Sequence, residues 1–508
     1  MSKAAPDHNR LAISAPLVLA TMMNTLDQTI ANVALPHIQG SLSAAADEAV
    51  WVLTSYILAS AMVTPLSGWL ANRLGLKTTM LVAIGGFTVC SGLCGLAMTL
   101  PQLVLCRFAQ GAFGAMTLPV SQTVFYNIFA PHEQPRAVAL WSIGGLLGPL
   151  LGPILGGWLT DTYSWRWCFL INLPLGAAAL LGVWLTLPSQ RVARSRPFDF
   201  MGFAALIIAI GGLQMLLDRG PGQDWFASRE VWLYALLAAG AFWVFLAHTL
   251  TTRTPFIDLA VFRDRNLINA TLLTFVIMAV MFAAMGLLPI VVQSLMGYPV
   301  MLSGLVNAPR GLAMVLAMAL APVLIARCDP RTLLLAGIGA SSIGLWQMSH
   351  FDLAMGTGPL LIAAVWQGLG QGLIMVQLST LAFSTLAPEL RPEAASIYNL
   401  ARSFGSSVGI SSFQAAAVFN TQQMHASLAA RVTPSDPVFR WALPDAFSPA
   451  TTAGAQALDA VISRQAAMVA YVNDFHLMLL LTLGCAPLVL LMRPGRRSAA
   501  ALQEAMAD

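Results

Sequence analysis

Long apolar runs follow one another from residue 12 to residue 492, separated by short polar connections. A bilayer-spanning helix needs about 20 mostly apolar residues. Fourteen runs meet that need: 12–35, 50–71, 78–99, 102–127, 136–159, 166–187, 200–217, 231–250, 267–293, 302–326, 332–349, 359–386, 395–419 and 472–492. Glycine and proline inside them are compatible with spanning, because neighbouring helices re-satisfy the freed backbone groups. The pattern predicts an all-α polytopic membrane protein. One run differs from the others. In Thr21 to Ile38, Thr21, Asn24, Thr25, Asp27, Gln28 and Asn32 fall on one side at helical spacing, with Met22, Met23, Leu26, Ile30 and Val33 around them. Such a polar stripe belongs against protein or water, not lipid.

Composition agrees with the pattern. The 508 residues are 57% hydrophobic and 9% charged, against about 25% charged in soluble chains, so no large soluble domain fits between the runs. Nearly all the acids lie in loops or at span ends; Asp27 alone lies well inside a span, while Asp474 sits at the outer start of the last one. A carboxylate at membrane depth costs about 2.5–3.5 kcal/mol, which makes Asp27 a functional-site candidate. An even number of spans puts both termini on one side. Of 26 Lys and Arg, seventeen fall on that side, from Lys3 and Arg10 to Arg496 and Arg497, and six on the other (Arg166, Arg219, Arg229, Arg431, Arg440, Arg464). The positive-inside rule therefore makes both termini cytosolic. Three arginines remain within spans: Arg107, Arg310 and Arg402. The net charge of +4 is scattered, with no basic stripe for nucleic acid. The six cysteines form no CxxC pair and the seven histidines do not cluster, so no metal site is expected. The first run is too long for a cleaved signal and continues into the polar stripe, so it is expected to remain as span 1.

The chain also matches itself at an offset of 257: Gln110-Gly111 with Gln367-Gly368, the loop 130–137 with 387–394, Trp141 with Tyr398, Gly148 with Gly405 and Gly152 with Gly409. A weaker echo sets Arg73 and Lys77 against Arg327 and Arg331. The expected organisation is an N-terminal six-helix bundle over 12–187, an inserted helix pair over 200–250 and a C-terminal six-helix bundle over 267–492. Paired bundles with a site between them suit alternating-access transport. The long outer loop at about 420–471 is rich in Pro, Ala and Ser early and helix-like from Thr452 to Tyr471; it admits two readings, a helix across the outer mouth or a flexible insertion.

Several motifs carry a family resemblance over nearly the whole length. Leu26-Asp27-Gln28-Thr29-Ile30-Ala31-Asn32 resembles a span-1 signature, and Arg107-Phe108-Ala109-Gln110-Gly111 a span-4 motif. Gly144, Gly148-Pro149, Gly152-Pro153 and Gly156-Gly157 resemble an antiporter motif. Gly68 to Lys77 resembles an inner gate loop, but with Asn72 where aspartate is usual and Leu76 where a basic residue is common. Residues 305–311 and the set Asn399, Arg402, Gly405 and Gly409 resemble signatures of spans 10 and 13. Together they identify the chain as similar to the fourteen-span EmrB/QacA-type drug:proton antiporter group of the major facilitator superfamily.

The resemblance implies proton coupling by Asp27 and Arg107, export through the span-5 glycines, and gating by Gly68, Asn72, Arg73, Gly75 and Lys77. It implies no cofactor beyond a proton gradient and no enzymatic activity. Small lipophilic substrates, protons and the lipid membrane are the expected partners. In a double-membraned bacterial host, a periplasmic adaptor and an outer-membrane channel would join them at the cytoplasmic membrane. The physics of Asp27 agrees: desolvation and a nearby cation act oppositely on a carboxylate, so a balanced site can change protonation as a cavity opens. Candidate pocket residues are Asn24, Gln28, Asn32, Gln110, Met116, Met281, Met285, Gln371, Met375 and Gln377. Methionine adapts its shape to varied apolar ligands. With 24 Met in the chain, that composition suits hydrophobic or cationic drug-like molecules. The alternative is a proton-coupled transporter of one metabolite, siderophore or peptide.

Overall fold

The computed structural model describes residues 7–130, 133–189, 197–325, 327–432, 447 and 451–492. Among them the protein is helical. The first half comprises α1 (Asp7–Ser41), α2 (Ala46–Ala49), α3 (Trp51–Val63), α4 (Leu66–Leu74), α5 (Leu76–Leu96), α6 (Leu100–Gly114), α7 (Thr117–Ile128), α8 (Gln134–Thr162), α9 (Trp167–Leu170) and α10 (Asn172–Thr186). Then come α11 (Phe200–Arg219) and α12 (Arg229–Thr251). The second half comprises α13 (Arg265–Ile290), α14 (Val300–Ile325), α15 (Pro330–Met348), α16 (Thr357–Phe383), α17 (Arg391–Ala429), α18 (Thr452–Gly484) and α19 (Ala486–Leu490).

Among the described residues ten helices are long and apolar enough to cross a membrane, eleven if α3 and α4, bent by 56°, form one span. The other three expected spans, in α1, α15 and α17, are helical but less apolar. For α1 the reason is its polar stripe. In the stretch 420–471, α17 runs on to Ala429, and the helix expected from Thr452 is α18, which continues unbroken to Gly484; among the described residues it is part of the last span's helix and not a separate one across a mouth. At about 1.5 Å per residue both helices outrun a hydrocarbon core of about 30 Å. Their extensions meet where His425 Nε2 and Asp459 Oδ1 lie 2.9 Å apart. Residues 433–446 and 448–450, including Arg440, lie outside the described residues.

The two halves use the same packing partners: α1 lies on α8 as α13 lies on α17, and α3 on α6 as α14 on α16. Small residues permit both close crossings. Gly144 faces Val18, Gly148 faces Thr25 and Leu26, and Gly152 faces Thr29, while Gly405 and Gly409 face Phe275 and Ala279. α11 packs on α3 and on α17, and Ser411 Oγ donates to the Leu217 carbonyl at 2.9 Å. α12 packs on α11 and leaves Trp232, Leu236, Trp243 and Leu250 exposed.

The halves meet at one end. There Tyr126, Val138 and Ala139 share a hydrophobic cluster with Leu378, Phe383, Ala394 and Tyr398. Toward the other end, the cluster of Leu26, Ile30, Leu103 and Trp165 draws only on the first half, and that of Val292, Phe351, Phe413 and Phe475 only on the second. The conformation is thus closed at the end of the Gly75 turn, while the clusters toward the other end are each confined to one half.

A Cβ at 148 collides with Thr25 and with backbone at Leu26, whereas one at 157 meets nothing within 4 Å. Gly148→Val is therefore expected to cost about 1–3 kcal/mol. Its melting temperature in detergent, followed by fluorescence-detected size exclusion, should fall by several degrees, with Gly157→Val close to wild type. Equal behaviour of the two variants would contradict the crossing.

Candidate functional site

Asp27 lies at mid-length on α1, 0% exposed, and Arg107 on α6, 1% exposed. Arg107 Nη1 donates to Asp27 Oδ2 at 2.5 Å. The other carboxylate oxygen accepts from Gln110 Nε2 at 2.9 Å and from Asn172 Nδ2 at 2.8 Å. All three groups around Asp27 are donors, which suits the ionised carboxylate. Arg107 is held in turn: Nε donates to the Val52 carbonyl at 3.1 Å and Nη1 to Gln110 Oε1 at 2.9 Å. Its guanidinium carbon lies 4.4 Å from the centre of the Tyr56 ring and 5.5 Å from that of Phe169, within cation–π range. Asn172 also donates to Ser91 Oγ at 3.0 Å, and Ser91 donates to the Phe169 carbonyl. Six helices, α1, α3, α5, α6, α9 and α10, thus close around one ion pair.

Of the expected pocket residues, Gln110 belongs to this network. Asn24 lies one turn earlier on α1, where its amide donates to Tyr56 Oη and the Gly114 carbonyl, each at 3.1 Å. Gln28 reaches back to Asn24 Oδ1 at 3.3 Å and is exposed, as is Asn32. Met116 is buried within the first half. In the second half Met281 and Met375 are half-buried and Met285 is exposed. Gln371 and Gln377 are buried, and both amide atoms of Gln377 lack a hydrogen-bond partner among the described residues.

The glycine stripe of α8 is the surface on which α1 lies. Gly144, Gly148, Gly152 and Gly156 all face α1, Pro149 is half-buried beside them, and Gly157 faces away. The Pro153 side chain lies outside the described residues. The beginning of α8 turns toward the second half, where the Arg402 guanidinium lies 5.6 Å from the Trp141 ring centre.

The closed end is made by polar contacts across the halves. Gln122 Nε2 donates to Ser379 Oγ at 3.0 Å, Tyr126 Oη to the Ser379 carbonyl at 2.8 Å, and Asn399 Nδ2 to Gln122 Oε1 at 2.6 Å. Gln122 and Ser379 are 257 positions apart, the offset of the repeat, so this contact sits on the pseudo-twofold relation. In the gate loop, Gly68 packs against Pro392 and Glu393, and Asn72 Nδ2 donates to Glu393 Oε1 at 3.4 Å. An aspartate at 72 would meet that carboxylate as a like charge, so the asparagine fits its neighbour. Gly75 takes φ +83°, a left-handed value that favours glycine. Arg73 stacks on Trp69, and Lys77 Nζ donates to the Trp184 carbonyl at 2.7 Å, both within the first half.

Sequence reasoning missed two partners. For Asn172, a lone amide in an apolar span was the available signal. Glu393 lies in the repeated loop, opposite Asn72. Asp474, at the outer start of the last expected span, is buried at 1% exposure because α18 begins more than twenty residues before it.

The comparisons with known proteins agree with this architecture. The family model described as Major Facilitator Superfamily matches residues 17–410. The multidrug export protein EmrB of Escherichia coli (strain K12) is 34% identical over 427 residues, 83% of this chain and 83% of that protein. The fatty acid resistance protein FarB of Neisseria gonorrhoeae is 33% identical over 400 residues, 78% of this chain and 79% of that protein. Among solved structures, the proton:xylose symporter XylE superposes with a TM-score of 0.59 at 14% identity, covering 94% of this chain and 95% of that one. A symporter sharing the fold means that fold alone does not give a direction of transport.

Removing one partner of a buried ion pair costs about 3–5 kcal/mol because the other charge stays buried. Arg107→Ala should therefore lower the melting temperature more than the double variant Asp27→Asn/Arg107→Gln, a non-additivity read by a thermal double-mutant cycle. Strictly additive effects would mean the two side chains are not coupled.

Proposed function

The chain belongs to the Major Facilitator Superfamily, and on that premise we propose that it exports lipophilic, drug-like or toxic compounds across a bacterial cytoplasmic membrane in exchange for protons. The observation that carries the proposal is the sealed Asp27–Arg107 pair on the helix that α8 grips. The printed names of the relatives, multidrug export and fatty acid resistance, support apolar and amphipathic cargo. For a double-membraned host the reading includes a periplasmic adaptor and an outer-membrane channel as onward partners.

In this reading the closed end is the cytosolic one, as the charge distribution assigns it, and the described conformation faces outward. A proton arriving from outside neutralises Asp27. The carboxylic acid then holds Arg107 by a hydrogen bond alone, and the remaining contacts to Gln110 and Asn172 weaken with it. α1 is freed to shift against α6 and α10. Because α1 lies on the α8 glycines, its movement is carried to α8, whose opposite side holds the second half near Trp141 and Arg402. The contacts of Gln122, Tyr126 and Asn72 across the closed end then part, and substrate enters from the cytosol or inner leaflet. Loss of the proton restores the pair and the outward form. The two six-helix bundles, with α11 and α12 between them in sequence, are the rocking bodies of this scheme.

Two measurements test it. Asp27→Asn, reconstituted at matched protein amounts, should lose gradient-driven export of a lipophilic dye, and a pump-deficient host carrying it should be as drug-sensitive as the empty host. Normal export by that variant would end the mechanism. For the gate, Asn72→Cys with Glu393→Cys should arrest transport under oxidising conditions and recover with reductant; unimpeded transport of the cross-linked protein would mean this end need not open.

A further inference from the structure

The duplicated halves permit a position-by-position reading of their centres. Gly111 of α6 abuts the Tyr56 carbonyl of α3, and Gly368 of α16 abuts the Arg310 carbonyl of α14. Gly148 and Gly152 abut Thr25 and Thr29, as Gly405 and Gly409 abut Phe275 and Ala279. These crossings set Gln367 where the first half has Gln110, Ala364 where it has Arg107, Ile277 where it has Asp27, and Arg310 where it has Tyr56. The second half therefore keeps a cation and a glutamine at its centre but has an isoleucine in place of the carboxylate.

Arg310 is 7% exposed. Nε donates to Gln371 Oε1 and Nη2 to the Met281 carbonyl, each at 3.4 Å, the long limit for such bonds. Nη1 is buried and has no partner among the described residues. Gln371 is itself committed, donating to Gln367 Oε1 at 2.8 Å. Asp474, the other buried acid of this half, forms no ion pair with Arg310 among the described residues. A guanidinium stays protonated in proteins, and at membrane depth a charge calls for a counter-charge or water. On α13, whose Met281 carbonyl accepts from Arg310, Met281 and Met285 lie one turn apart, half-buried and exposed. A ligand reaching both would meet a forked cation and a soft apolar surface.

We propose that Arg310 is the recognition residue for lipophilic organic carboxylates, whose anionic head completes in the second half the ion pair that Asp27 completes in the first. This rests on, and narrows, the export reading above. The carboxylate takes the free Nη1 together with the weakly engaged Nη2 in a forked contact, and the hydrocarbon body lies along Met281 and Met285. Neutral lipophiles use only the methionine surface and lack the charged contact.

The test is a binding measurement on protein in lipid nanodiscs, without a gradient, using radiolabelled dodecanoate as the probe and methyl dodecanoate as the uncharged competitor. Wild type should prefer dodecanoate over its methyl ester. Arg310→Gln should weaken dodecanoate binding by about tenfold or more, the scale of one charge-assisted contact, and Arg310→Lys should restore much of it. Equal wild-type affinity for the acid and the ester would overturn the proposal. So would unchanged dodecanoate affinity in Arg310→Gln, or failure of Arg310→Lys to bind better than Arg310→Gln. Because no transport is required, Arg310-dependent binding by a protein that exports nothing would refute the export reading and leave this one standing.

Discussion

A charge in hydrocarbon must find a partner, and that constraint organises this molecule. Asp27 is tolerable on α1 because α6 brings Arg107 and Gln110 to it and α10 brings Asn172. The pair is in turn roofed by Tyr56 and Phe169. Such a pair adds little stability over an apolar core of equal shape, because desolvation offsets most of the attraction. It confers a condition instead: three donors surround the carboxylate, and the proposed coupling to a proton gradient rests on that arrangement.

Glycine makes that condition mechanical. With Cβ atoms absent at 144, 148 and 152, α8 approaches α1 closely enough that side chains of one meet backbone of the other. Thr29 Oγ1 even donates to the Gly148 carbonyl at 3.3 Å. Interfaces packed this tightly shift as units rather than deform. The same helix reaches the second half through Val138, Ala139 and Trp141. One element therefore touches both the ion-pair helix and the opposite half.

The duplication preserves the scaffold and not the chemistry. The close crossings recur in both halves, because backbone geometry demands small residues at the same places. The polar centres diverge: an ion pair in one half, a lone arginine with glutamines in the other. On the proposed reading, the pair closed on itself serves proton exchange and the arginine serves a ligand, so the two tasks fall to different halves.

Much of this was legible in the chain. Hydropathy alone marked the helices, because a bilayer requires about 20 apolar residues wherever the backbone crosses. The rarity of charge in those runs singled out Asp27, Arg107 and Arg310. Gln122 and Ser379 stand at the repeat offset, but a register gives equivalence and not proximity, so their contact was not legible. Three-dimensional packing decided the rest. Helical periodicity says which residues share a face, but not which neighbour covers that face. That Asn172 and not a residue of the second half meets Asp27, that Gln110 turns into the pair, and that Glu393 receives Asn72 all follow from where distant helices cross. The sequence by itself determined the helices, their repeat and the positions of their few charges, since each is set by local hydropathy and spacing. Only the tertiary structure decided that, among the described residues, Asp27 has an ion-pair partner and Arg310 has none, since that depends on which helices lie within hydrogen-bond reach.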